Sequence, residues 1–410
     1  MDLMPSQIAW LDASSEEQRR MRDIIQLFTD REARDELGIG TIRDALSDML
    51  FPGTSTLHTR ARYLLFVPWI YMQAAHSRNP VGKAERLERQ LVSAFADAED
   101  SDGLLGARAG AGLKTLPSQI YWAALGTYGI RNDERATREN ALLTDATETV
   151  AADDSVRVQG IWHGSLPAHP PGFPASVPSG FALTLEEAEW LRDRMVTTAP
   201  HSLLEYFIHH PPAGGSAFPW EDSAASGVKD ELRRRLDHAR TFSAVMHGAQ
   251  LLYNLMLAER YETAGFDGHE DLAEEYESRL ADWAHQLLHE EQVDTWNVHE
   301  LISLANAQRT RAVPVQTQRF VQNWTDLVCE RLTNQEQLAT LMHSSAARDL
   351  ISSREKQTKG PHGRLHSNKR LSSWGGASGA ARLSYRWSYV LRILDDLHKG
   401  LARPGALLHA

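Results

Sequence analysis

The sequence predicts a mainly α, multi-helical protein: two helical halves joined by a Pro-rich irregular segment with at most a short strand or hairpin. Three observations predict it. Apolar residues recur at the three- and four-residue spacing of a helix face along most of the 410 residues. Helix-start signatures recur as well, with Ser14/Glu17 and Thr184/Glu187 forming capping boxes. Period-two alternation, the mark of a half-buried strand, shows only at Val156, Val158 and Ile161. The expected division is 1–150 as an N-terminal helical region, 151–226 as a Pro-rich connection with one helix, and 227–410 as a C-terminal helical region. The last carries a basic, Gly-rich loop at 354–387.

Taken in order, Ser14 to Phe28 reads as a helix with Met21, Ile24, Ile25 and Phe28 inward. Residues 36–75 hold the densest pattern. Thr41 is placed to cap a helix burying Ile42, Ala45, Leu46, Met49 and Leu50, and Phe51-Pro52-Gly53 stops it. Thr54, Ser55 or Thr56 then caps a second helix carrying Leu57, Ala61, Leu64 and Leu65, which Pro68 kinks or ends. A helix-turn-helix is disfavoured here, because a recognition helix needs a polar face and Leu64 to Ile70 is almost continuously apolar. Arg60 flanks the apolar stripe, and a partly buried Arg needs an anion. The candidates are Asp44, Asp48 or a bound phosphate.

Helical patterning continues over 77–115 (Leu87, Leu91, Val92, Phe95) and 117–150 (Tyr121, Ala124, Leu125, Tyr128). The glycines of 106–114 end in Lys114 without the spacing of a P-loop, so a turn is expected. Five prolines between 151 and 180 mark the irregular connection. Helices follow over 184–195, 228–256, 271–291, 296–309, 316–332 and 334–353. His201, His209 and His210 cluster without ligand spacing. His285 and His289 stand at i, i+4 but lack the Glu of a zincin motif, so no metal site is expected. The single cysteine, Cys329, sits in an amphipathic pattern and reads as core; it excludes an intrachain disulfide.

Charge singles out one stretch. Residues 354–387 hold eight basic residues against one acid, Glu355, a local charge of +7 in a chain of formal net charge −11. A basic island in an acidic protein is an electrostatic address for phosphate. Helical order is expected to stop at 354 and leave a basic loop. Arg364, Lys369, Arg370, Arg382 and Arg386 are the candidate phosphate contacts. Trp374 and Tyr385 are candidates to stack or pack, and Gly375, Gly376 and Gly379 to offer backbone amides. No catalytic residue and no cofactor is assigned. The opening MDLMPSQIAW has no signal-peptide pattern and no apolar run reaches the ~20 residues of a membrane helix, so a cytoplasmic protein without a membrane partner is expected.

The blocks at 8–12, 36–71 and 374–387 resemble an uncharacterised bacterial family of unknown function. Its members are often encoded near helicases and nucleases in anti-phage defence clusters. The resemblance implies a defence role, with a helicase or nuclease among its partners, and offers no catalytic residues. The leading expectation is therefore a non-enzymatic nucleic-acid-binding or adaptor subunit, with DNA or RNA as partner. Two alternatives stay open. One is an enzyme acting on a phosphate-containing substrate held by 354–387, with Asp395 or Asp396 as nearby acids. The other is a protein scaffold that docks an acidic partner.

Overall fold

A computed structural model describes residues 35–96, 102–107, 112–144, 160–177, 179–269, 271–290 and 293–404. The fold is mainly α. Its fifteen described α-helices are α1 Gly40–Leu50, α2 Tyr63–Ala75, α3 Pro80–Ala96, α4 Pro117–Thr127, α5 Arg138–Thr144, α6 Leu185–Thr198, α7 Leu203–His209, α8 Asp230–Thr263, α9 Leu272–Leu288, α10 Val298–Ala307, α11 Val315–Cys329, α12 Gln335–Ala339, α13 Ser345–Lys359, α14 Asn368–Leu371 and α15 Trp387–Leu401. Among the described residues the sole β pairing is an isolated antiparallel bridge between Arg131 and Trp162. Ile161 lies beside that bridge, and its carbonyl accepts the Asn132 amide. Val156, Val158 and the helix expected at 14–28 lie outside the described residues. No described helix is long and apolar enough to cross a membrane.

The chain forms two compact units, each assembled from separated stretches. Of the described residues, one comprises those within 35–41, 241–302 and 313–383; the other comprises those within 42–240, 303–312 and 384–404.

The second unit is built round α2, whose residues are buried except at Met72 and Gln73. That near-complete burial follows from an apolar run with no polar face. Helices α3, α4 and α5 pack on it, while α15 packs on α6 and α7. Trp387 anchors α15, packing against Phe51 and Phe207 and donating its indole N–H to Ser216. The capping box at Thr184/Glu187 forms as the sequence predicts. Glu187 also receives the fully buried Arg62 at 2.7 Å, so one carboxylate both caps a helix and neutralises a buried cation.

The second helix of the 36–75 block begins later than its caps suggest. Residues 54–62 are turns and irregular chain, α2 starts at Tyr63, and Leu57 is 45% exposed. The backbone of this segment is bonded from afar instead. The amides of Thr59 and Arg60 donate to the Tyr121 hydroxyl, which donates to the Arg60 carbonyl, and the Ala61 amide donates to Asp396. With these groups satisfied, the local helix signal is overridden. Pro68 sits inside α2 and does not end it. At the start of α1 the cap comes from Asp35, whose carboxylate takes the amides of Ile39 (2.8 Å) and Gly40 (2.6 Å).

The first unit gathers α9, α11, α12, α13 and the part of α8 from Thr241 onward. Trp283 and Trp324 donate their indole N–H groups to the Ala244 and Val245 carbonyls of α8. Gly248 is required where Trp283 crosses α8, because a Cβ there would collide with the indole ring. Helical order does not stop at 354: α13 runs to Lys359, and a short helix, α14, follows at Asn368–Leu371.

Candidate functional site

The basic stretch is ordered by the one acid within it. Glu355 is fully buried and accepts the Tyr253 hydroxyl (2.7 Å), the Arg364 amide (2.7 Å) and the Leu365 amide (3.0 Å). Gly363 fits against it because a Cβ would come within 2.7 Å of the carboxylate. The neighbouring Arg354 is also buried, bonding the carbonyls of Leu37 and Gly38 and the Thr317 hydroxyl. Burial lowers its pKa below the usual guanidinium value. These two polar residues therefore face the interior of the first unit, and the turn after α13 is held against that interior.

Around that turn Lys359, His362, Arg364, Arg370 and Ser373 line a cleft of ≈ 220 Å³ together with Glu36. Glu36 is 7% exposed and bridges two of the cations, Arg364 at 2.7 Å and Lys359 at 3.4 Å. Arg364 also donates to the Ser378 hydroxyl at 3.0 Å. The Arg370 guanidinium lies 2.9 Å from His362 Nδ1. A guanidinium has no acceptor, so Nδ1 accepts and the neutral imidazole carries its proton on Nε2. Lys356 lies one helical turn before Lys359 and is exposed, as are Lys369 and Arg370. Arg260, at the end of α8, is exposed and bonds the Asn368 side chain at 3.0 Å. None of Lys356, Lys369 and Arg370 forms an ion pair among the described residues.

The other residues singled out in the sequence have different surroundings. Arg382 is paired with Glu290 at 2.6 Å, and Arg386 with Asp48 at 2.7 Å and the Thr54 carbonyl at 2.7 Å. Trp374 is 2% exposed, its ring against Tyr261 and His269. Tyr385 is also 2% exposed, and its hydroxyl donates to the Ala239 carbonyl. Both rings pack in the interior, and neither offers a face on which a base could stack. Tyr385 and Arg386 belong to the second unit, whereas 364–382 belongs to the first.

The glycine-rich segment 374–379 is likewise engaged by the protein. The carbonyls of Trp374 and Gly376 pair with His269 and Tyr276. Asn254 receives the Ser378 amide and donates to its carbonyl, while His247 and Arg279 meet the Ala380 carbonyl. Gly376 (φ +85°) and Gly379 (φ +57°) occupy left-handed backbone that favours glycine, and Gly375 is exposed with open space beside it. The segment reads as a strap tied to α8 and α9.

Arg60 meets a different carboxylate from the Asp44 or Asp48 that the sequence suggests. Its guanidinium makes a bidentate pair with Asp396 at 3.0–3.1 Å and donates to the Asp102 carbonyl. Burial raises the Asp396 pKa, opposed by Arg60 and the Ala61 amide. Asp395 pairs with Lys399 one turn on. The acids on which an enzymatic reading would draw are thus bound to cations of the second unit. Cys329 is half-buried, its thiol pushed up by burial. Among the described residues no three His, Cys, Asp or Glu side chains gather to hold a metal.

Of the residues in and around this cleft, the sequence singles out Arg364, Lys369 and Arg370 as candidate contacts, and does not single out Glu36, Lys359, His362, Ser373 or Arg260. Lys359 was visible as a cation, but its closeness to Arg364 depends on the turn that Glu355 creates. Glu36 carried no signal, being more than 300 residues away in the chain. No curated protein and no solved structure matches the chain. A family model matches residues 5–400, nearly the whole sequence, and the chain belongs to that family, the family of unknown function DUF6361.

Proposed function

We propose that the chain is a non-enzymatic nucleic-acid-binding subunit that holds DNA or RNA through its phosphates on the basic face of the first unit. The observation that carries this reading is the cleft, where Lys359, Arg364 and Arg370 converge with His362 round a single carboxylate. Lys356, Lys369 and Arg260 add exposed cations nearby. Cations that form no ion pair within the protein are the ones that displace counterions from a nucleic-acid backbone. The contacts assigned are therefore Lys356, Lys369 and Arg370. Arg382, Arg386, Trp374, Tyr385 and the glycines serve the fold. In the defence setting that the family resemblance implies, such a subunit would act as an adaptor, bringing a helicase or nuclease partner to its nucleic acid.

The test is fluorescence anisotropy with labelled single- and double-stranded DNA and RNA, comparing the wild type with Lys369→Glu/Arg370→Glu. The double variant is expected to lose at least about tenfold in affinity, since each reversal replaces attraction by repulsion. Its melting temperature should not move, because both side chains are exposed. Undiminished binding by the variant would remove this face as the contact.

A further inference from the structure

We propose that the cleft lined by Lys359, His362, Arg364 and Arg370 is a receptor for a terminal phosphomonoester, so that the chain grips a nucleic-acid strand by its phosphorylated end. This rests on the nucleic-acid reading and makes it more specific: the exposed cations attract the backbone, and the cleft selects the end.

Size is the first argument. At ≈ 220 Å³ the cleft is smaller than the ~300–1,000 Å³ of pockets that enclose whole drug-sized ligands. It admits a phosphate and the start of its sugar, not a base pair or a run of backbone.

Charge is the second. Three cations and the Glu36 carboxylate give the lining a net +2 with His362 neutral. A phosphomonoester carries about −1.5 to −2 at pH 7, whereas a backbone diester carries a single charge. The lining therefore matches the monoester more closely. Glu36 keeps the excess from rising to +3 and fixes two of the cations in place.

Preorganisation is the third. Arg364 is held by Glu36 and Ser378, and its main chain is held by Glu355. Arg370 is held by His362, which is thereby left with an Nε2–H to donate. The Ser373 hydroxyl is committed to the Arg370 carbonyl at 2.9 Å and shapes the wall without contributing a donor. Side chains already fixed lose little freedom when an anion arrives, and guanidinium groups suit the paired oxygens of a phosphate.

The experiment compares three labelled single strands of one sequence, ending in 5′-phosphate, 3′-phosphate or hydroxyl only, by anisotropy at constant salt. One phosphorylated strand is expected to bind about tenfold tighter than the hydroxyl strand, the scale of one added charge-assisted contact. Arg370→Gln should abolish that advantage, lowering affinity for the phosphorylated strand about tenfold more than for the hydroxyl strand, which loses only a backbone contact. Lys359→Gln should do the same, and Arg370→Lys should restore part of it. Melting curves confirm that each variant is folded. Equal affinity for all three strands overturns the end-receptor proposal and leaves the nucleic-acid reading intact. Binding of none of them overturns both. A phosphoserine peptide that binds as tightly as the phosphorylated strand would assign the cleft to protein and also overturn the proposal.

Discussion

The Tyr253 hydroxyl donates a 2.7 Å hydrogen bond to Glu355, and the oxygen that receives it also receives the Arg364 amide at 2.7 Å. One buried carboxylate thus ties the middle of α8 to the turn that forms the basic cleft. Burial pushes the Tyr253 pKa above its usual range, and the charge of Glu355 pushes it further, so the hydroxyl stays a donor at every ordinary pH.

Tyr253→Phe removes one of the donors that stabilise a fully buried carboxylate. A loss of about 1–3 kcal/mol is expected, the cost of leaving a buried polar group short of a partner. Hydrogen exchange should quicken at the amides of Arg364 and Leu365, which share that carboxylate. If those amides stay as protected as in the wild type, the pin does not order the cleft.

Arg60 and Asp396 present a different case, a pair 336 residues apart in which the carboxylate is buried. Arg60→Ala strands that charge and should cost about 3–5 kcal/mol. Arg60→Met/Asp396→Leu, which removes both charges, should recover most of the loss in a chemical denaturation series. Were Arg60 a ligand contact instead, the single variant would melt like the wild type.

What the sequence reveals and what it hides divide along the same line. Helices with an apolar face, such as α3 with Leu87, Leu91, Val92 and Phe95, are legible because their periodicity is local. So is the cap at Thr184/Glu187, which spans four residues. The stretch from 354 to 359 reads as a loop because its inward positions are Arg354 and Glu355, and a pattern reader takes buried polar residues for surface. Charge counting fails for a related reason. Arg364, Arg382 and Arg386 all count as positive, yet each meets a carboxylate far away in the chain, at Glu36, Glu290 and Asp48. The exposed cations of the stretch that form no ion pair among the described residues, Lys356, Lys369 and Arg370, can be told from the others only once the fold is known.

Stability should depend on pH through three buried groups. His58 and His247 are depressed to about 4, by burial first; at His247 the charges of Arg279 and Arg382 add to it. A depressed histidine gives stability that is present above its unfolded value of 6.5 and is lost as pH falls through about 4. Glu88 is the reverse. Burial raises it to about 7 against the Ser118 amide and hydroxyl bonds and the charges of Arg138 and Arg89, so its contribution is complete below 4.5 and lost as pH rises through about 7. Between pH 4.5 and 6.5 the two histidines oppose the one acid, and net weakening on acidification is expected. His247→Gln should flatten that fall and Glu88→Gln should steepen it, as read from melting temperatures at pH 5, 6 and 7.5. Identical profiles for all three proteins would exclude these groups as its source.

Salt dependence separates the cations that face solvent from those that hold the fold together. If Lys356, Lys369 and Arg370 each meet a phosphate, log K for a single strand should fall against log salt with a slope of about −2. Neutralising one of them, as in Lys369→Gln, should make the slope shallower by about 0.7 and weaken binding alike for every sequence. Arg382→Gln should leave the slope unchanged, because its guanidinium is already compensated by Glu290 at 2.6 Å and releases no counterion on binding. Titrations at several salt concentrations between 50 and 300 mM, about the range over which such slopes are measured, decide the matter. A slope that responds to Arg382 and ignores Lys369 would move the contact surface away from the cleft.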